Sequence, residues 1–103
     1  MTTEQMISSI GDPMVRELAM RGQTRAFPKN AIIINEGDRG DSLFVILAGK
    51  VKVYVSDDDG REMILDTYSA GDYVGEMSFD GRPRSASVMT LEPTTCAVLT
   101  RDE

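Results

Sequence analysis

From Phe27 onward the chain is a series of short β-type runs separated by turns rich in glycine and aspartate. One run, Ser42–Leu47, is almost continuously apolar, and the next, Lys50–Val55, alternates valines with polar or aromatic side chains. Runs of this length and period predict antiparallel strands, of which about eight fit into the chain. The pattern favours a mainly β fold, a double-stranded β-helix or jelly roll that encloses a small cavity.

The segment before these runs predicts one short helix. Asp12 is suited to be its N-cap and Pro13 its first residue. Apolar residues at helical spacing then extend it for about nine residues, to a stop near Arg21–Gly22. Met1–Ile10 has no strong period and predicts a frayed end. We therefore expect an N-terminal segment and helix over residues 1–22 and a β-roll over residues 23–103.

The stretch Gly71–Val88 carries the chemistry that points to a ligand. A glycine at position 75 lets the backbone approach a ligand closely. Glu76–Phe79 can form one helical turn, whose free N–H groups suit an anion. Arg84 offers a planar fork of donors that matches a phosphate. Because Glu76 would be repelled by that phosphate, a sugar hydroxyl is its better partner, and the combination predicts a nucleotide.

This stretch resembles the phosphate-binding cassette of cyclic nucleotide-binding domains, most of all that of bacterial regulators of the catabolite activator type. Two upstream segments, Glu36–Phe44 and Leu47–Val51, also fit the family pattern, so the resemblance covers about Phe27 to Val98. It implies that Glu76 holds the ribose 2′-hydroxyl and that Arg84 holds the cyclic phosphate. It also implies that the same cradle is lined by Ser85 and by the backbone of Gly75, Met77 and Ser78.

Some alternatives stay open at this point. The loop between Glu76 and Arg84 is one residue shorter than the common family pattern, so Arg82 is a second candidate for the phosphate. Glu76 and Arg84 would pair with each other in a degenerate roll that serves as a protein-interaction or dimerisation module. A cupin-like enzyme is the third reading. Walls for the base are expected from the valines of Val51–Val55, from Leu65 and from Val74.

Composition limits these readings. The chain has no histidine, which argues against Ser-His and Cys-His catalysis and against common zinc and iron sites. Cys96 is the single cysteine, so an internal disulfide is excluded and a buried thiol is expected. A net charge of −6 argues against direct binding of DNA or of an anionic membrane. We expect a cytoplasmic protein without metal, cofactor or catalytic residues.

The resemblance implies a non-catalytic sensor of cAMP or cGMP that serves a transcription regulator. In this family a lid and dimerisation helix follows the roll, and often a DNA-binding module follows that helix. The chain ends at Glu103, directly after the last predicted strand. We therefore expect an excised or a stand-alone sensor domain. In a longer parent protein we expect a homodimer, with DNA binding only through a module that this chain lacks.

Overall fold

The computed structural model describes residues 1–38, 42–75 and 84–100. These residues contain two helices and eight strands. The helices are α1 (Thr3–Ser8) and α2 (Pro13–Arg21). The strands are β1 (Gln23–Phe27), β2 (Ile32–Ile34), β3 (Leu43–Ala48), β4 (Lys50–Ser56), β5 (Glu62–Ser69), β6 (Tyr73–Gly75), β7 (Ser87–Thr90) and β8 (Thr94–Leu99).

The strands form two four-stranded sheets in which every pair is antiparallel. One sheet has the order β1-β8-β3-β6 and the other has the order β2-β7-β4-β5. The mainly β roll of about eight antiparallel strands that the sequence predicts is thereby confirmed. The predicted one-turn cassette helix at Glu76–Phe79 lies outside the described residues.

Strand β3 is apolar on both faces because both faces are covered. Val45 and Leu47 belong to a cluster that includes Val15 and Ala19 of α2. Ile46 belongs to a second cluster, to which both sheets contribute. Since successive side chains of a strand point to opposite faces, one strand serves both cores. The helices therefore cover the outer face of the first sheet, and the second cluster fills the space between the sheets.

Helix α2 lies where the sequence places it. The side chain of Asp12 accepts a hydrogen bond from the backbone N–H of Met14 at 2.8 Å, and Pro13 is the first helical residue. Gly22 ends the helix, but its φ is −84°. The helix therefore does not end in the left-handed conformation for which glycine is usually needed. A Cβ there would lie 3.1 Å from the backbone of Val98. Close packing of the helix end on β8 requires the glycine.

The prediction of a frayed N-terminus is wrong. Thr2 and Gln5 form a reciprocal capping box at the start of α1. The backbone N–H of Thr2 donates to Oε1 of Gln5 at 2.8 Å, and the backbone N–H of Gln5 donates to Oγ1 of Thr2 at 3.1 Å. Ile10, beyond the helix, is only 4% exposed and packs in the helix-side cluster. The spacing of a threonine and a glutamine three residues apart was the local signal for this helix.

The turn between β4 and β5 is held by Asp57, whose carboxylate accepts the backbone N–H groups of Asp59 and Arg61. Gly60 has a φ of +81°, so the predicted glycine-containing hairpin turn is confirmed.

Neither described helix is long and apolar enough to cross a membrane.

Candidate functional site

A cavity of about 260 Å³ opens among β2, β4, β6 and the segment that leads into β7. Three of the site residues that the sequence predicts, Gly75, Arg84 and Ser85, lie together in its wall. The other three, Glu76, Met77 and Ser78, lie outside the described residues, as does the alternative phosphate ligand Arg82. The described lining consists of Ile34, Val53, Gly75, Arg84, Ser85 and Ala86.

Gly75 closes strand β6 in a backbone conformation that suits only glycine well, with a φ of +86°. A Cβ at this position would lie 2.7 Å from the carbonyl oxygen of Ser42 and 3.3 Å from Cδ1 of Ile34. Both the dihedral angle and the available space therefore exclude a larger residue. The observed close approach is to the backbone of Ser42, whereas the approach that the sequence predicts for this glycine is to a ligand.

Arg84 has its side chain directed along the wall of the cavity. Its Nη2 donates to the carbonyl oxygen of Ser42 at 2.8 Å, and its Nη1 would lie 3.1 Å from a Cβ on Gly75. The guanidinium group is thus held beside the backbone at the end of β6. A half-buried guanidinium group in such a fixed position is well suited to a phosphate.

The main chain of Arg84 is held as firmly as its side chain. Its N–H donates to the carbonyl oxygen of Asp38 at 2.7 Å, and its carbonyl oxygen accepts from the N–H of Gly37 at 2.8 Å. Residues 36–38 form a turn that follows β2. This turn therefore fixes the point from which the arginine side chain extends.

Ser85 and Ala86 continue the same wall toward β7. Ser85 is exposed and lines the cavity, so its hydroxyl group is accessible to a ligand beside Arg84. Ser87, the first residue of β7, is buried and accepts a hydrogen bond from the N–H of Glu36 at 2.8 Å. The sequence interpretation assigned no role to Ser87, although a serine at a buried strand position needs a polar partner.

The expected walls for a base are only partly found at the cavity. Val53 lines it, whereas Val51 and Val74 are buried in the cluster between the sheets. Leu65 is 55% exposed on β5 and is not among the lining residues. Ile34, which the sequence analysis did not select, supplies apolar wall instead. The described lining thus combines apolar side chains with the guanidinium group of Arg84 and the hydroxyl group of Ser85.

Groups that could bind a metal do not cluster anywhere in residues 1–38, 42–75 and 84–100. Cys96 is fully buried between the sheets, and burial raises the pKa of its thiol to about 12. A protonated thiol in an apolar setting is a poor nucleophile and a poor metal ligand. Among the described residues, the polar side chains that line the cavity are those of Arg84 and Ser85.

Comparison with known proteins agrees with this geometry. A family model described as a cyclic nucleotide-binding domain matches residues 24–103. The CRP-like cAMP-activated global transcriptional regulator of Mycobacterium tuberculosis is 38% identical over 77 residues, which are 74% of this chain and 34% of the relative. The chain spans less than half the length of the curated relatives it matches.

Solved structures of two proteins extend the comparison. The catabolite activator protein of Thermus thermophilus has a TM-score of 0.75 at 31% identity, over 94% of this chain and 46% of that chain. The EAL enzyme Bd1971 in its cAMP-bound form has a TM-score of 0.70 at 38% identity, over 76% of this chain and 21% of that chain. The same enzyme has also been solved in a cGMP-bound form, which matches at 37% identity and a TM-score of 0.72.

Proposed function

The chain belongs to the cyclic nucleotide-binding domain family, and we propose that it is a non-catalytic sensor domain that binds cAMP or cGMP in the cavity beside Arg84. The observation that carries the proposal is the position of the Arg84 side chain. Its guanidinium group lines the cavity beside the Ser85 hydroxyl group and is held next to Gly75 by the carbonyl oxygen of Ser42. Ile34 and Val53 add apolar wall. A cyclic nucleotide offers one phosphate charge to the guanidinium group and the flat face of its base to the apolar side chains.

In this proposal Arg84 binds the cyclic phosphate and Glu76 binds the ribose 2′-hydroxyl. Gly75 and the backbone of Met77 and Ser78 approach the ligand closely, and Ser85 donates to a phosphate oxygen. The resemblance to the cassette supports these roles, and the shared location of Gly75, Arg84 and Ser85 is consistent with them. Binding requires no cofactor and no catalytic residue.

We propose cAMP ahead of cGMP, because the curated relatives are named as cAMP-activated regulators. In a longer parent the domain would pass the signal to an output module by a shift between two conformations. A dimeric transcription regulator that binds DNA through that module is the output we propose, with a cytoplasmic location. The similarity to an EAL enzyme supports the idea that the same sensor can be joined to different outputs.

Isothermal titration with cAMP and with cGMP tests the proposal directly. We expect stoichiometric binding by the unmodified chain, weakened about 100-fold in Arg84→Ala because a charged hydrogen-bond donor to the phosphate is lost. Arg25→Ala is the matched control, since Arg25 is an exposed arginine on β1 outside the cavity lining. The control should bind like the unmodified chain.

Two outcomes would contradict the proposal. Equal binding by Arg84→Ala and the unmodified chain would show that Arg84 is not the phosphate ligand, and Arg82→Ala would then be titrated. An intact fold that binds neither nucleotide would favour the alternative, a degenerate roll that serves as a protein-interaction or dimerisation module.

A further inference from the structure

We propose that Ser87 is a positioning residue for Arg84 and that it acts through the turn at residues 36–38. The consequence for nucleotide affinity rests on the proposed function. The consequence for the position of Arg84 can be measured without any ligand. Four hydrogen bonds, all between described residues, connect the Ser87 hydroxyl group to the main chain of Arg84 and the Arg84 guanidinium group to Ser42, the residue before β3.

The first step joins β7 to the turn after β2. The Oγ of Ser87 accepts the backbone N–H of Glu36 at 2.8 Å, and Ser87 is only 8% exposed. This hydroxyl group, on a buried residue of β7, is therefore the acceptor for the N–H of Glu36 in the exposed turn. Without it the N–H would lose its partner, which favours an alternative conformation of the turn.

The second step joins the turn to Arg84. The residue after Glu36, Gly37, donates its N–H to the carbonyl oxygen of Arg84 at 2.8 Å, and Asp38 accepts the N–H of Arg84 at 2.7 Å. Such a reciprocal pair fixes both the distance and the register between two segments. A shift of the turn must therefore shift the main chain of Arg84, and with it the guanidinium group that lies against Ser42.

The Glu36 side chain gives the turn a second anchor. Its carboxylate accepts the backbone N–H of Ser56 at the end of β4, at 3.3 Å. Ser87 of β7 is the register partner of Tyr54 in β4, the strand that ends at Ser56. The two anchors of the turn, Ser87 and Ser56, therefore lie on neighbouring strands. The turn is thus held on the second sheet, while the Arg84 guanidinium group contacts Ser42, the residue before β3 of the first sheet.

Thr90 offers an internal comparison on the same strand. Its hydroxyl group accepts the N–H of Ala31 at 2.8 Å and donates to the carbonyl oxygen of Pro28 at 2.6 Å. Ser87 and Thr90 thus hold the two segments that flank β2, at its C-terminal and N-terminal ends. The segment held by Ser87 pairs with Arg84, whereas the bonds of Thr90 go to the opposite end. Loss of either hydroxyl group should destabilise the fold, but loss of Ser87 should also displace the arginine.

The test compares Ser87→Ala with Thr90→Val in the full chain. Amide hydrogen exchange, measured by NMR without ligand, reports on the N–H groups of Gly37 and Arg84, with amides of β3 as the reference for global opening. The quantity compared is the exchange ratio, the rate at these two amides divided by the rate at the β3 amides. We expect Ser87→Ala to raise this exchange ratio about tenfold and Thr90→Val to leave it unchanged. Titration with cAMP should show an affinity about tenfold lower for Ser87→Ala than for Thr90→Val.

A second pair of variants covers the case in which Ser87→Ala does not fold. Glu36 is exposed, so Glu36→Ala should keep the fold but remove the anchor on Ser56. Glu36→Gln retains an oxygen that can accept the same N–H. We expect faster exchange at Gly37 and Arg84 in Glu36→Ala and exchange like that of the unmodified chain in Glu36→Gln.

The outcomes separate this inference from the proposed function. If the unmodified chain binds no cyclic nucleotide, the proposed function fails, and the exchange ratios alone decide whether Ser87 positions Arg84. If the unmodified chain binds and Arg84→Ala does not, the proposed function holds. Equal exchange ratios and equal affinities in folded Ser87→Ala and Thr90→Val would then overturn the role of Ser87.

Discussion

Gly75 and Arg84 lie so close that a Cβ atom on the glycine would come within 3.1 Å of Nη1 of the arginine. The same Cβ would lie 2.7 Å from the carbonyl oxygen of Ser42, which accepts the hydrogen bond from Nη2 of Arg84. Glycine, arginine and carbonyl group thus form one packed unit. The space for the guanidinium group exists because position 75 has no side chain.

Replacing Gly75 tests this unit. We expect Gly75→Ala to reduce cyclic nucleotide affinity at least about tenfold, because the new methyl group displaces the Arg84 side chain or the backbone at Ser42. Gly71→Ala is the matched control, since Gly71 has a φ of +95° but an open Cβ direction. In both variants the positive φ should lower the free energy of unfolding by about 1–2 kcal/mol. Overpacking should lower it by about 1–3 kcal/mol more in Gly75→Ala.

Urea unfolding and isothermal titration measure the two effects. Loss of stability without loss of affinity in Gly75→Ala would show that the contact with Arg84 is structural only. Loss of affinity in Gly71→Ala as well would show that a positive φ, and not crowding, is what the site requires.

Cys96 should make stability depend on alkaline pH. Burial raises the pKa of its thiol from 9.0 to about 12 in the folded chain. Between these values the unfolded chain binds fewer protons than the folded one, so the free energy of unfolding falls as pH rises. The contribution is complete below pH 9.0 and is lost as pH rises through about 12. Urea unfolding over this range should show a shallower pH dependence in Cys96→Ala, and identical slopes would refute the assignment.

The phenol of Tyr68 should have a pKa above that of an ordinary tyrosine. The carboxylate of Asp66 is the main cause of its raised pKa, by its charge and by a hydrogen bond to the phenol, with smaller contributions from burial and from Asp72. We expect Asp66→Asn to lower the pKa of Tyr68 more than Asp72→Asn does. Ultraviolet titration of tyrosinate, with Tyr68→Phe to identify the signal, measures the change. A larger effect of Asp72→Asn would reverse this ranking.

Asp12 should stabilise α2 through its cap. Replacing it with alanine removes the acceptor for the N–H of Met14 and should cost about 1 kcal/mol. Asp12→Asn keeps a side-chain oxygen in the same position and should lose much less. Thermal and urea unfolding provide the measurement, and equal stability of the alanine and asparagine variants would show that the cap contributes little.

Much of the fold could be predicted from local signals. Period-two and continuous apolar runs, glycine turns and the Asp12–Pro13 pair are signals that act over a few residues, which is why α2 and most of the strands were placed correctly. Strand β1 (Gln23–Phe27) was missed, because the predicted runs begin only at Phe27. The capping box formed by Thr2 and Gln5 is equally local. The error at the N-terminus was therefore an overlooked signal, not missing information.

The sequence by itself determined the mainly β roll, the position of α2 and the cassette motif that carries the candidate ligand residues. Only the tertiary structure decided what holds those residues, because their partners are distant along the chain. Arg84 contacts a carbonyl group 42 positions away, and Ser87 contacts an N–H 51 positions away. Such pairs depend on the order of strands in the two sheets, and backbone carbonyl groups carry no sequence signature. The same is true of Gly22, whose glycine is required by the approach of β8.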